Sequence, residues 1–86
     1  HKGFAWLEIE TRGRAAHGSL ADEGIDAIAA MGPVLSGVAA LDRRLAERPR
    51  HPLLGRGSIH ASLIAGGAEL STYPDRCLLS LERRTV

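Results

Sequence analysis

Residues 24–47 read GIDAIAAMGPVLSGVAALDRRLAE, and this stretch decides the fold. Its apolar positions Ile28, Met31, Leu35, Val38, Leu41 and Leu45 stand three or four apart, the interval that gathers side chains on one face of an α-helix. Asp22 and Glu23 ahead of it, and Arg43, Arg44 and Arg48 toward its end, suit the helix dipole. Gly32-Pro33 falls inside the pattern, where proline removes a hydrogen bond and crowds the preceding turn at about 3 kcal/mol. Because the apolar stripe keeps its phase across Pro33, the spacing predicts one kinked helix over 24–47.

Outward from the helix, both flanks change period. Residues 4–12 alternate, with Ala5, Leu7, Ile9 and Thr11 on one face and Trp6, Glu8, Glu10 and Arg12 on the other, a half-buried strand. Residues 13–20 hold no period and read as a strand end running into a loop. After the helix, Pro49 and Pro52 open a loop through Arg56. Ile59, Ala61 and Leu63 then alternate with His60, Ser62 and Ile64 in a strand that ends at the Gly66-Gly67 turn. Beyond Tyr73-Pro74-Asp75, a last strand puts Cys77, Leu79 and Leu81 inward and Leu78, Ser80, Glu82 and Arg84 outward. The order β-α-β-β, one long helix on one face of an antiparallel sheet, is an α+β arrangement. Three strands and one helix leave sheet edges unpaired, so self-association is expected.

Composition narrows the function classes. Eighty-six residues make one small domain, 1–86, and 44% hydrophobic with 24% charged residues is ordinary globular usage. Eleven Lys and Arg against ten Asp and Glu give a net charge of +1, too little to draw nucleic acid or an anionic membrane. The single cysteine, Cys77, has no intrachain disulfide partner and reads as a small core residue. No apolar run approaches the roughly 20 residues of a membrane span, and the first residues lack signal-peptide character. A cytoplasmic protein is the expectation.

Among residues that carry chemistry, His1, His51 and His60 read as surface histidines. His17 differs: small neighbours in Ala15-Ala16-His17-Gly18-Ser19, at the mouth of a strand, permit close approach to a ligand. An imidazole there suits hydrogen-bond donation to a developing oxyanion, or acid–base work. Ser19 has no evident partners to make it a nucleophile, and Asp22, Glu23 and Asp26 read as helix-start acids rather than metal ligands. Glu82-Arg83-Arg84 reads either as an ion-paired strand end or as a carboxylate-binding fork.

An ordered set of motifs then carries a resemblance. Residues 13–19 (GRAAHGS), 24–28 (GIDAI), 51–55 (HPLLG), Gly66-Gly67, 71–77 (STYPDRC) and 82–86 (ERRTV) resemble, in order and over nearly the whole chain, the dimerisation or lid domain of the acetylornithine deacetylase and succinyl-diaminopimelate desuccinylase family of zinc-dependent metallopeptidases. The resemblance implies a ferredoxin-like fold, here truncated to β-α-β-β and lacking the last helix and strand, inserted in a catalytic domain that holds two zinc ions. It implies no metal ligands in this chain, a homodimer through the long helix and an edge strand, and a small N-acyl amino acid or peptide as substrate. His17 takes the place of the histidine that reaches in trans to stabilise the oxyanion. Arg84 matches an arginine that contacts the substrate's carboxylate end, and Ser71 stands where several members carry asparagine for that contact. Two alternatives share the topology: a purely structural dimerisation module, and a nucleic-acid-binding module. The latter should carry an aromatic pair on a strand, and none is expected from Phe4, Trp6 and Tyr73.

Overall fold

The computed structural model describes residues 3–53 and 55–86. His1, read as a surface histidine, and Leu54 of the 51–55 motif lie outside the described residues. The elements are β1 (Gly3–Arg12), α1 (Ala27–Glu47), β2 (Ser58–Gly66) and β3 (Arg76–Thr85). The strands form one antiparallel sheet in the order β1-β3-β2 with α1 against one face. This is the α+β, ferredoxin-like β-α-β-β arrangement.

The period-2 signal is strongest on the central strand, where Cys77, Leu79 and Leu81 are all buried. Register places Thr11, Ile9 and Leu7 of β1 opposite them, so the face expected to turn inward on β1 does so. Burial along it is uneven: Ile9 packs against the core, whereas Leu7 is 46% exposed because α1 lies mainly over β2.

Strand β2 departs from simple alternation. Its register against β3 jumps between Ala61 and Leu63, a bulge at Ser62. An extra residue reverses the facing of everything after it. Ile64 therefore shares the inner face with Leu79, and Leu63, expected inward, is 71% exposed on the open face beside Ser80. Gly67, with φ of +86°, then turns the chain through the left-handed region that favours glycine.

The helix begins three residues later than its spacing predicts. Asp26 is the N-cap, its carboxylate accepting the Ala29 N–H at 3.0 Å, and Asp22 and Glu23 lie in the preceding turn. The helix then runs unbroken through Pro33. Its buried stripe is Ala27, Met31, Val34, Val38, Leu41 and Leu45, rotated from the expected one, so that Ile28 and Leu35 sit on an exposed flank. Two polar contacts fix the helix to the sheet. Thr11 Oγ1 donates to the Ala27 carbonyl at 2.7 Å, and Asp42 pairs with Arg56 while its Oδ1 accepts the Ile59 N–H at 3.2 Å. No helix among the described residues is long and apolar enough to cross a membrane.

Candidate functional site

The segment after β1 stays extended because two other segments, the stretch at Ile25 and the loop 71–75, supply its backbone partners. The Gly13 N–H donates to the Asp75 carbonyl, Arg14 and Ile25 exchange two bonds, Tyr73 N–H donates to the Ala16 carbonyl, and Gly18 N–H donates to the Ser71 carbonyl at 2.7 Å. His17 pairs with Thr72 as an isolated bridge. The histidine expected at a loop mouth thus stands on a strap tied to the loop that carries Ser71. His17 and Ser71 are both exposed, and a shallow hollow of about 370 Å³ beside them is lined by Gly18, Asp26, Leu70, Ser71, Thr72, Tyr73 and Pro74.

The imidazole has a defined orientation. The Ser19 main-chain N–H donates to His17 Nδ1 at 3.1 Å, and Ser19 Oγ lies 2.7 Å from the same nitrogen. A peptide N–H is only a donor, so Nδ1 is the acceptor and the neutral ring carries its proton on Nε2. Ser19, which has no evident partner in the sequence, therefore has one. Nucleophilic chemistry at Ser19 would also need an orienting group beyond the ring and oxyanion donors near Oγ; among the described residues His17 is hydrogen-bonded through its side chain to Ser19 alone.

Arg84 is held elsewhere. Its Nε donates to Glu82 Oε2 at 3.1 Å and its guanidinium lies 5.7 Å from the Phe4 ring centroid. Arg84, with the Trp6 indole N–H at 3.2 Å, holds the Glu82 carboxyl below its ordinary 4.5. Both readings of Glu82-Arg83-Arg84 survive in this geometry, since the ion pair occupies Nε and leaves the Nη edge of the fork. Arg84 sits at the end of β3 remote from Ser71, about 26 Å along the strand at 3.3 Å per residue. The structure joins His17 with Ser71 and sets Arg84 apart from both.

The open sheet face corrects one expectation. Phe4 and Trp6 do form an aromatic pair on β1, with ring centroids 5.5 Å apart, and are 59% and 75% exposed. A groove of about 540 Å³ crosses that face between Trp6, Glu8, Leu63 and Ser80, away from the candidate residues. His51 and His60 are exposed, as the sequence suggests. Among the described residues, no three His, Cys, Asp or Glu side chains are grouped to hold a metal ion.

The described residues thus form a three-stranded sheet with a single helical cover and an exposed strap that carries His17. The family model of the peptidase dimerisation domain matches residues 1–86, and the chain belongs to that family. Among solved structures, it is similar to a protein described as an amidohydrolase/peptidase from Burkholderia cenocepacia, at 23% identity and a TM-score of 0.73 over 98% of this chain and 19% of that one. It is also similar to an amidase of the hydantoinase/carbamoylase family from Burkholderia multivorans, at 19% identity and a TM-score of 0.73 over 96% and 19% of the two chains. Aminopeptidase PepT from Bacillus cereus matches at 20% identity and a TM-score of 0.62 over 98% and 20%. The chain spans about a fifth of the length of these structures. No curated protein matches it.

Proposed function

We propose that this domain is the dimerisation lid of a zinc-dependent amide hydrolase of the deacetylase, desuccinylase or peptidase type, and that His17 serves the active site of a second copy by stabilising the oxyanion. The observation that carries this reading is the Ser19 N–H bonded to Nδ1, which leaves Nε2–H of an exposed ring as an outward donor. A donor aimed at the position where negative charge develops is the requirement for oxyanion stabilisation. Two zinc ions belong, in this reading, to the catalytic domain of the parent enzyme; the described residues of this chain do not fit a metal centre, and no step here depends on one. Ser71 and Arg84 contact the carboxylate end of a small N-acyl amino acid or peptide. Because Arg84 lies a strand's length from His17, one pocket draws His17 and Ser71 from one copy and Arg84 from the other. The homodimer forms through α1 and the β2 edge, the protein is cytoplasmic, and the isolated domain is catalytically silent.

Replacing His17 with Ala in the complete hydrolase is expected to lower kcat by about 100-fold or more, the effect of removing one oxyanion donor, while sedimentation still reports a dimer. An unchanged kcat/KM in a persisting dimer refutes the assisting role. The exposed Phe4–Trp6 pair favours a nucleic-acid platform in one respect, yet on that face Glu8, Glu10 and Glu82 balance Arg12, Arg76 and Arg84, which are already ion-paired, so the face offers phosphate no net positive charge.

A further inference from the structure

We infer that Ser19 is a positioning residue, selecting the tautomer and orientation of His17; this rests on the proposed role of His17 as a donor. Ser19 directs two groups at one nitrogen, its own main-chain N–H at 3.1 Å and its hydroxyl at 2.7 Å. The main-chain donor determines which nitrogen is bare. The hydroxyl can only add to that bond by donating, since the Nδ1 lone pair faces it. The main-chain N–H opposes the tautomer with its proton on Nδ1, in which donor would meet donor, whereas the hydroxyl could turn to accept there, so its part is to hold the ring's orientation.

The contact spans two residues, so its geometry depends on the backbone between them, and that backbone is fixed from outside. Gly18 N–H is bonded to the Ser71 carbonyl, and Leu20 N–H donates to the His17 carbonyl at 2.8 Å. Ser19 is therefore carried by a strap held on both sides of it, and its hydroxyl is presented to His17 without a separate ordering step. Alanine at 19 keeps the main-chain donor and loses the hydroxyl; threonine keeps both. This pair separates the side chain's contribution from that of the strap. Among the described residues, the Ser19 side chain has no hydrogen-bond partner other than His17, so a change at Oγ reports on the ring.

The test is nitrogen-15 NMR of the His17 ring in this chain above the pH at which the ring is charged. In the unsubstituted chain, Nδ1 carries the shift of an unprotonated nitrogen and Nε2 that of a protonated one. In Ser19→Ala the main-chain donor keeps Nδ1 bare, while the minor rotamer of the His17 side chain, read from three-bond couplings about Cα–Cβ, rises about fivefold, the change produced by losing one neutral hydrogen bond, and Ser19→Thr restores the original populations. A protonated Nδ1 in the unsubstituted chain, or rotamer populations of His17 that Ser19→Ala leaves unchanged, overturns the inference. In the complete hydrolase, Ser19→Ala should lower kcat with KM held, and Ser19→Thr should recover it. If His17→Ala lowers kcat and Ser19→Ala changes neither the ring's rotamer nor kcat, Ser19 alone loses its role. If His17→Ala leaves kcat intact, the donor reading of His17 fails whatever the tautomer does.

Discussion

His17 and Arg84 are each oriented by a neighbour two residues away in sequence, Ser19 for the ring and Glu82 for the guanidinium. For Arg84, Glu82 and the Phe4 ring restrict the side chain and leave its Nη edge open. Arg84→Gln in the complete hydrolase should cost about 1.5–3 kcal/mol of transition-state binding, read as a ten- to hundredfold fall in kcat/KM for substrates bearing a terminal carboxylate. Substrates lacking that carboxylate should show little change. A second residue-scale constraint is steric. A Cβ at Gly24 would lie 2.4 Å from Tyr73 Cγ, where the strap, the helix entry and the Ser71 loop converge. Gly24→Ala should therefore destabilise the chain by about 1–3 kcal/mol through overpacking, measured by urea unfolding.

At the scale of elements, α1 is secured at its start by a cap and in its last third by an ion pair. Asp26→Ala removes the acceptor of the Ala29 N–H and should cost about 1 kcal/mol in urea unfolding. Asp42 lies below its ordinary 3.8, chiefly through its hydrogen bond from Arg56 and then through the Ile59 N–H. With the folded value depressed, the unfolded chain binds the proton more readily, so the contribution is complete above about pH 4 and is lost as pH falls through the lowered value. Melting temperatures measured from pH 7 to pH 2 should drop less steeply in Asp42→Asn than in the unsubstituted chain. Sequence periodicity reveals these elements well where one rule governs them: Cys77, Leu79 and Leu81 alternate on a strand buried by its position, and they form the core. It misplaces Leu63 because a bulge belongs to the pairing of two strands and leaves no mark in either alone. It chooses Ile28 and Leu35 over Ala27 and Val34 because α1 is apolar around much of its circumference, and only the sheet beneath selects the buried side. In the candidate site, small residues around His17 mark an exposed tip, whereas the Ser19 contact and the Phe4–Trp6 pair require the folded backbone. Resemblance alone draws attention to Ser71, and it singles out Arg84 within the Glu82-Arg83-Arg84 run that residue chemistry already marks.

The whole molecule is long and thin, 56 × 19 × 15 Å, with a radius of gyration of 16.9 Å against about 12 Å for a compact chain of this length. Its accessible surface of 6114 Å² exceeds by roughly 1,200 Å² the value expected for a folded monomer of its mass. That excess is enough to furnish a standard interface, about 800 Å² from each partner. Strand β2 has a free edge in the three-stranded sheet, and the neighbouring helix flank presents Ile28 and Leu35. A second copy placed there would extend the sheet and cover the apolar flank. Sedimentation should show association that weakens when Leu35 is replaced by Glu, because a charge on the covered flank is buried without a partner.

The trans arrangement is tested most directly by mixing two defective forms of the complete hydrolase, one carrying His17→Ala and the other an intact lid with an inactivated catalytic domain. Each homodimer should be nearly silent, and the mixed dimer should regain activity, because the intact lid completes the intact catalytic domain opposite. Mixed dimers that form and remain silent would contradict the account.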